Sequence, residues 1–212
     1  MTGSIAGIVV PATPLAAAAN ELVRATADEK AFHHGRRVFL FGTLHGRQRG
    51  CVADPELLYV GAMFHDLGLS SAYRNSPRPY EIDGACLARD FLLARGRTDH
   101  EAQLVWLAVA LHTNPSVAAH LEPEVALLAA GVEADDLGVG LAELGPEELD
   151  AVTAAHPRSG FKEQLLQLLF AGLADRRPST AGNRHDDVLR HFLPGHARPD
   201  FVDLVRASPW PN

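Results

Sequence analysis

Tyr59-Val60-Gly61-Ala62-Met63-Phe64-His65-Asp66-Leu67-Gly68 is the stretch on which the reading of this chain turns. An apolar run delivers an imidazole and a carboxylate side by side, then stops at a glycine. Burying that pair costs several kcal/mol unless something pairs with it, and a metal ion is the strongest available partner. An isolated His-Asp doublet is common by chance, so its weight comes from its surroundings. His34 lies in an amphipathic segment upstream, and Asp135 closes the apolar run that starts at Val125.

Outward from the doublet, apolar residues recur at helical spacing, and no stretch alternates with period two. An all-α fold without a sheet is therefore expected. Residues 1–13 read as an extended lead-in. Residues 15–44 read as two helices meeting near Asp28, the second ending at Gly42 and His45-Gly46-Arg47. Pro55 after Asp54 opens the doublet helix. Residues 69–80, with Asn75, Pro77 and Pro79, form a long loop of the kind found beside sites. Further helices are expected over 81–94, 101–112, 123–137, from Pro146, and over 161–173, 186–192 and 201–207. The chain's 212 residues suit one good-sized core. A single domain over 1–212 is expected, with its core at about 15–195 and a tail at 196–212.

A first-row metal site takes three or four His, Asp or Glu side chains from different elements. His34 falls on the core side of its helix, whereas His33 points about 100° away. His65 and Asp66 diverge by about the same angle, so both reach one ion only if it lies between them near the helix end. Asp135 and Asp136 are adjacent, and either one reads equally well as a helix-end charge.

The order His34, His65-Asp66, Asp135 is the ligand order of the HD-domain metallohydrolases, and the chain resembles that superfamily. The block from His34 through Arg37 to Phe41-Gly42 resembles the His-Ser-x-Arg-x-Tyr-x-Phe-Gly block of its cyanamide hydratase-like branch. Gly35 stands for Ser there, and the aromatic is shifted to Phe39. Tyr80-Glu81-Ile82-Asp83-Gly84-Ala85 looks like Phe-Glu-x-Asp-Gly-Ala of the same branch, and Ala110-Leu111-His112-Thr113 like Ala-x-His-Thr. Ala134-Asp135-Asp136-Leu137-Gly138 resembles Val-Asp-Val-Leu-Gly, which selects Asp135 over Asp136. Pro157-Arg158 with Phe161-Lys162 is similar to a Pro-Arg-x-x-Phe-Lys block.

The resemblance implies an HD helical bundle in which His34, His65, Asp66 and Asp135 hold one divalent ion. Zinc is the first choice, with iron, manganese or nickel as alternatives. Such an ion activates water at neutral pH. Asp66 would orient that water or take its proton, and His112 would assist as donor. Glu81, His112 and Lys162 would line the substrate pocket. His112 reads equally as a core histidine bonded to a carbonyl, and Lys162 as a snorkelling side chain. The implied reaction adds water to a small nitrile such as cyanamide, giving urea. An HD-type phosphohydrolase and a non-catalytic metal- or ligand-binding regulatory module are the alternatives. His120 matches no family block, so one metal is expected rather than two.

A net charge of −7 with dispersed arginines does not favour nucleic acid, which leaves a small molecule as the expected partner. No apolar run is long enough to span a membrane, and the first ten residues lack signal-peptide character; a cytoplasmic protein is expected. Cys51 and Cys86 cannot build a disulfide framework. The stripe Leu165-Leu166-Leu168-Leu169-Phe170 reads as core or as the face of a homo-oligomer. His100, His156, His185, His191 and His196 read as surface residues.

Overall fold

The computed structural model describes residues 4–176, 183–197 and 200–207. The chain opens with a hairpin, β1 (Ser4–Ile5) and β2 (Ile8–Val9), paired antiparallel with Ser4 opposite Val9. Its turn places Ala6 and Gly7 at φ 51° and 70°. The sequence predicts no sheet; strands of two residues are too short to display alternation.

Helix α1 (Pro14–Thr26) starts at a Thr13 cap with proline in its first turn. Helix α2 (Glu29–Arg49) starts at Asp28, whose carboxylate accepts the Ala31 N–H at 2.8 Å. It runs past the expected stop at Gly42 and Gly46 and ends at Gly50, where φ is 65°. The two inner glycines serve packing instead. A Cβ on Gly42 would lie 2.5 Å from the Leu127 carbonyl oxygen, so α2 can approach that helix only without side chains at the crossing.

Helix α3 (Pro55–Phe64) is capped by Asp54 and carries the apolar run inward. A 3-10 turn at Leu67–Leu69 follows it. Helices α4 (Tyr80–Leu93) and α5 (Asp99–Leu111) lie against each other. A single-turn α6 (Pro115–Ala118), which the sequence reading lacks, leads to α7 (Pro123–Leu137). Gly138 at φ 76° ends α7. Helices α8 (Pro146–Ala155), α9 (Phe161–Leu173), α10 (Asp186–Phe192) and α11 (Phe201–Arg206) complete the described order.

The fold is all-α apart from the hairpin. Its main core takes Val38 and Leu40 from α2, Tyr59 and Phe64 from α3, Leu92 from α4, Val105 from α5 and Leu128 from α7. A second, smaller cluster joins Leu69, Tyr80, Leu173 and Leu189 beneath α9 and α10. Among the described residues no helix is long and apolar enough to cross a membrane.

Candidate metal centre

Three elements bring the first donors together. His34 sits in the second turn of α2, His65 follows the last turn of α3, and Asp66 leads into the 3-10 turn. That turn can lie against the start of α4 because residue 68 is glycine. A Cβ there would lie 1.9 Å from the Tyr80 carbonyl oxygen. The Nε2 atoms of His34 and His65 are 3.0 Å apart. Asp66 Oδ2 lies 3.5 Å from the first and 3.4 Å from the second. Both rings are buried.

The opposite ring nitrogens fix the tautomers. His34 Nδ1 lies 2.7 Å from Asp135 Oδ2, and His65 Nδ1 lies 2.8 Å from the Ala62 carbonyl oxygen. Both partners accept, so each Nδ1 carries its proton and each neutral ring turns a bare Nε2 lone pair toward the other. Burial alone would lower the pKa of His34. The hydrogen bond to Asp135, together with the Asp136 and Asp66 carboxylates, raises it instead. Burial lowers the pKa of His65.

Asp135 and Asp136 differ in kind. Asp135 receives Arg37 Nε at 2.8 and 3.0 Å on its two oxygens, and Arg158 donates to its side chain as well. Burial opposes its ionisation, but His34 and Arg37 hold the carboxyl well below the usual range. Asp136 has a buried Oδ1 with no hydrogen-bond partner, 3.8 Å from His34 Nε2. Burial pushes its carboxyl up to about 6. The donors fall into two compact groups that share His34: His34, His65 and Asp66, and His34, Asp135 and Asp136.

His112 follows α5 with its Nδ1 2.6 Å from the Val109 carbonyl, so it is a buried histidine bonded to the backbone. It also faces the site, with Nε2 3.9 Å from Asp66 Oδ1. The Tyr80 hydroxyl lies 3.2 Å from His112 Nε2 and 3.4 Å from His185 Nε2. Thus His185, expected at the surface, is buried and belongs to this cluster. His156, also expected at the surface, is buried against His33 at 2.9 Å. Glu81 is buried behind Tyr80, accepting the Thr113 hydroxyl at 3.1 Å and facing His185 Nδ1 at 3.5 Å.

A cavity of about 840 Å³ opens over the cluster. Asp66, Asp136, His112, Tyr80 and His185 contribute to its wall, and Lys162 joins them from the exposed start of α9. Of the three residues expected to line a substrate pocket, His112 and Lys162 do so here; the Glu81 side chain contributes nothing to this wall. The leucine stripe of α9 is neither plain core nor a bare outer face. Leu165, Leu166 and Leu169 line this cavity, and Leu168 lines a smaller pocket of about 270 Å³ on the other side of His65 and Asp66.

The HD domain family model matches residues 31–176, from the start of α2 to the residues after α9. The chain belongs to the HD domain family. HD domains bind divalent metals and are generally metal-dependent hydrolases, which suits the donor cluster of this HD domain. No curated protein matches the chain. Two residues in the cluster, Tyr80 and His185, are not singled out by the sequence, and Asp136 is weighed there but set aside for Asp135. Tyr80 adjoins Glu81 in a matched block and was within reach. His185 has no spacing relation to the other donors, and only the return of α10 over the core brings it in.

Proposed function

We propose that this HD domain is a metal-dependent hydratase or hydrolase whose ion is held by His34, His65 and Asp66, with Asp136 as fourth donor. In this assignment Asp135 holds His34 from behind instead of meeting the ion, because its oxygens are already engaged by His34, Arg37 and Arg158. A carboxylate on the far nitrogen of a metal-bound imidazole is a familiar support for such sites. The observation that carries the proposal is the pair of Nε2 lone pairs facing each other at 3.0 Å with Asp66 Oδ2 beside both. Two nitrogens and two carboxylate oxygens suit zinc first, and iron, manganese or nickel after it. When bound, a divalent ion supplies Lewis acidity and brings the pKa of a coordinated water towards about 7.

The chain's own residues divide the remaining work. Asp66 Oδ1 points toward His112 and into the cavity, placed to hold a water and accept its proton. Burial pushes His112 down to about 3, so its ring is neutral; its Nδ1 proton is held by the Val109 carbonyl and its Nε2 accepts, the reverse of the donor role that the resemblance implies. The Tyr80 hydroxyl lies between His112 and His185 on the cavity wall, where it can turn its proton from a histidine nitrogen to a substrate atom.

The charges favour a small, largely uncharged substrate. Arg158 is engaged by Asp135, and Arg184 by Glu133 at 2.8 Å. Asp66 and Asp136 add negative charge to the same wall, so the strong positive field that a phosphate dianion prefers is not built. A nitrile, with cyanamide hydrated to urea as the first probe, is the reading we favour. Phosphate-ester hydrolysis is second and rests on Lys162 at the cavity rim. Assays of the metal-loaded protein on cyanamide, other nitriles and p-nitrophenyl phosphates decide between them. Turnover of nitriles that stops on chelation is expected. Robust turnover of phosphates with no nitrile hydration would overturn the choice.

A further inference from the structure

Cyanamide has three heavy atoms, and the cavity over the site measures about 840 Å³. Cavities of roughly 300–1,000 Å³ enclose drug-sized ligands, so cyanamide alone would leave most of this one unfilled. The lining is divided. Its buried polar groups form one connected cluster: Asp66 to His112 at 3.9 Å, His112 to Tyr80 at 3.2 Å, and Tyr80 to His185 at 3.4 Å. The rest is dominated by aliphatic side chains from four α-helices and the 3-10 turn at Leu141–Glu143, among them Val132, Leu141, Leu149, Leu165, Leu169 and Val188. Asp150 and Lys162, both exposed, also line it and give the mouth its polar character.

From this division we infer that the substrate is an electrophilic group attached to an apolar body, aryl or medium-chain alkyl, which seats between α7, α8, α9 and α10. The inference rests on the reading of the cluster as a hydration or hydrolysis site, because that is what places the reacting group at Asp66 and Tyr80. It also explains the stripe on α9. Leu165, Leu166 and Leu169 lie on one face of the helix, turned to a space that the side chains of the described residues do not fill. Aliphatic walls around an unfilled space are best satisfied by an apolar guest, since each methylene moved there from water contributes in proportion to the area it buries.

Binding and turnover separate this inference from the reaction itself. Straight-chain nitriles from acetonitrile to octanenitrile, with benzonitrile and cyanamide, are titrated into the folded protein with and without zinc. Displacement of a fluorescent naphthalene sulfonate reads binding, and amide formation is assayed in parallel. Affinity should tighten about fourfold per added methylene over several members of the series, with or without metal. Leu165→Gln, and Leu149→Gln as a second variant should the first not fold, should weaken octanenitrile roughly tenfold and flatten the dependence on length. Affinity that does not vary with chain length, or a slope unchanged in both variants, would overturn the inference. A length-dependent affinity without any amide formation would support the apolar seat while removing the nitrile reaction.

Discussion

His34 and His65 turn their Nε2 atoms toward each other at 3.0 Å while both Nδ1 atoms donate elsewhere, to Asp135 and to the Ala62 carbonyl. Neutral rings in that arrangement have no proton to share across the gap. Two facing lone pairs repel, and a cation between them removes the repulsion. The fold thus spends backbone and carboxylate acceptors to present two bare nitrogens beside Asp66.

The two acids at the end of α7 should separate cleanly on mutation. Asp135→Asn leaves the buried Arg37 guanidinium without its anion, and should cost about 3 kcal/mol of stability. Asp136→Asn removes a buried carboxylate oxygen that has no partner, so the metal-free protein should be no less stable while metal affinity drops sharply. Urea unfolding and metal titration of both variants read this out. If Asp136→Asn binds metal like wild type, the fourth donor has been misassigned.

Much of this was legible from the amino acids, and the failures have physical causes. His34, His65 and Asp66 could be found because apolar runs carry them inward and family blocks flank them. The resemblance chose Asp135 over Asp136 as the ligand, and our proposal takes the opposite choice; adjacent residues at a helix end differ only in direction, and His34, Arg37 and Arg158, which turn the Asp135 carboxylate to themselves, leave no mark beside it in the sequence. The continuation of α2 through Gly42 and Gly46 was hidden because glycine signals a helix end and a close helix crossing alike. His185 was hidden because burial by a returning helix leaves no local pattern.

Stability should depend on pH through His156 and His185. Burial pushes both down to about 4, from an ordinary value of 6.5. Between those values the unfolded chain binds more protons than the folded one, so stability rises with pH across that window. The contribution is complete above about pH 6.5 and is lost as pH falls towards 4. Urea midpoints of the metal-free protein measured across this range should fall with pH, and less steeply in His156→Gln. Asp136, pushed up to about 6, acts in the opposite sense over part of this window, so the comparison decides: a profile as steep in His156→Gln as in wild type would count against the neutrality of that ring.

The crossing of α2 and α7 should tolerate no side chain. A Cβ on Gly131 would lie 2.2 Å from the Val38 carbonyl oxygen, and backbone cannot swing aside as a side chain can. Gly131→Ala should therefore cost about 2 kcal/mol or more and loosen the metal site, because α2 carries His34 and α7 carries Asp135 and Asp136. Gly50→Ala meets nothing within 4 Å and bears only the strain of its positive φ, so its cost should be smaller, about 1 kcal/mol. Equal unfolding midpoints for the two variants would contradict the close approach.

Tyr80→Phe removes the one hydroxyl that His112 and His185 share, without touching a proposed metal donor. Metal content should stay at the wild-type level while kcat falls on the order of 100-fold. The loss should be smaller for substrates whose leaving group needs no proton. Wild-type kcat in Tyr80→Phe would remove the tyrosine from the chemistry.

The central claim is that His34, His65 and Asp66 hold a divalent ion, and equilibrium metal binding tests it most directly. Protein stripped with a chelator is titrated with zinc in a calorimeter, beside His65→Ala, with circular dichroism confirming that both are folded. Wild type should take up about one equivalent tightly and release protons as it does so, and His65→Ala should lose most of that affinity. A folded wild type that binds no zinc, iron, manganese or nickel, or a His65→Ala variant that binds as tightly as wild type, would contradict the account.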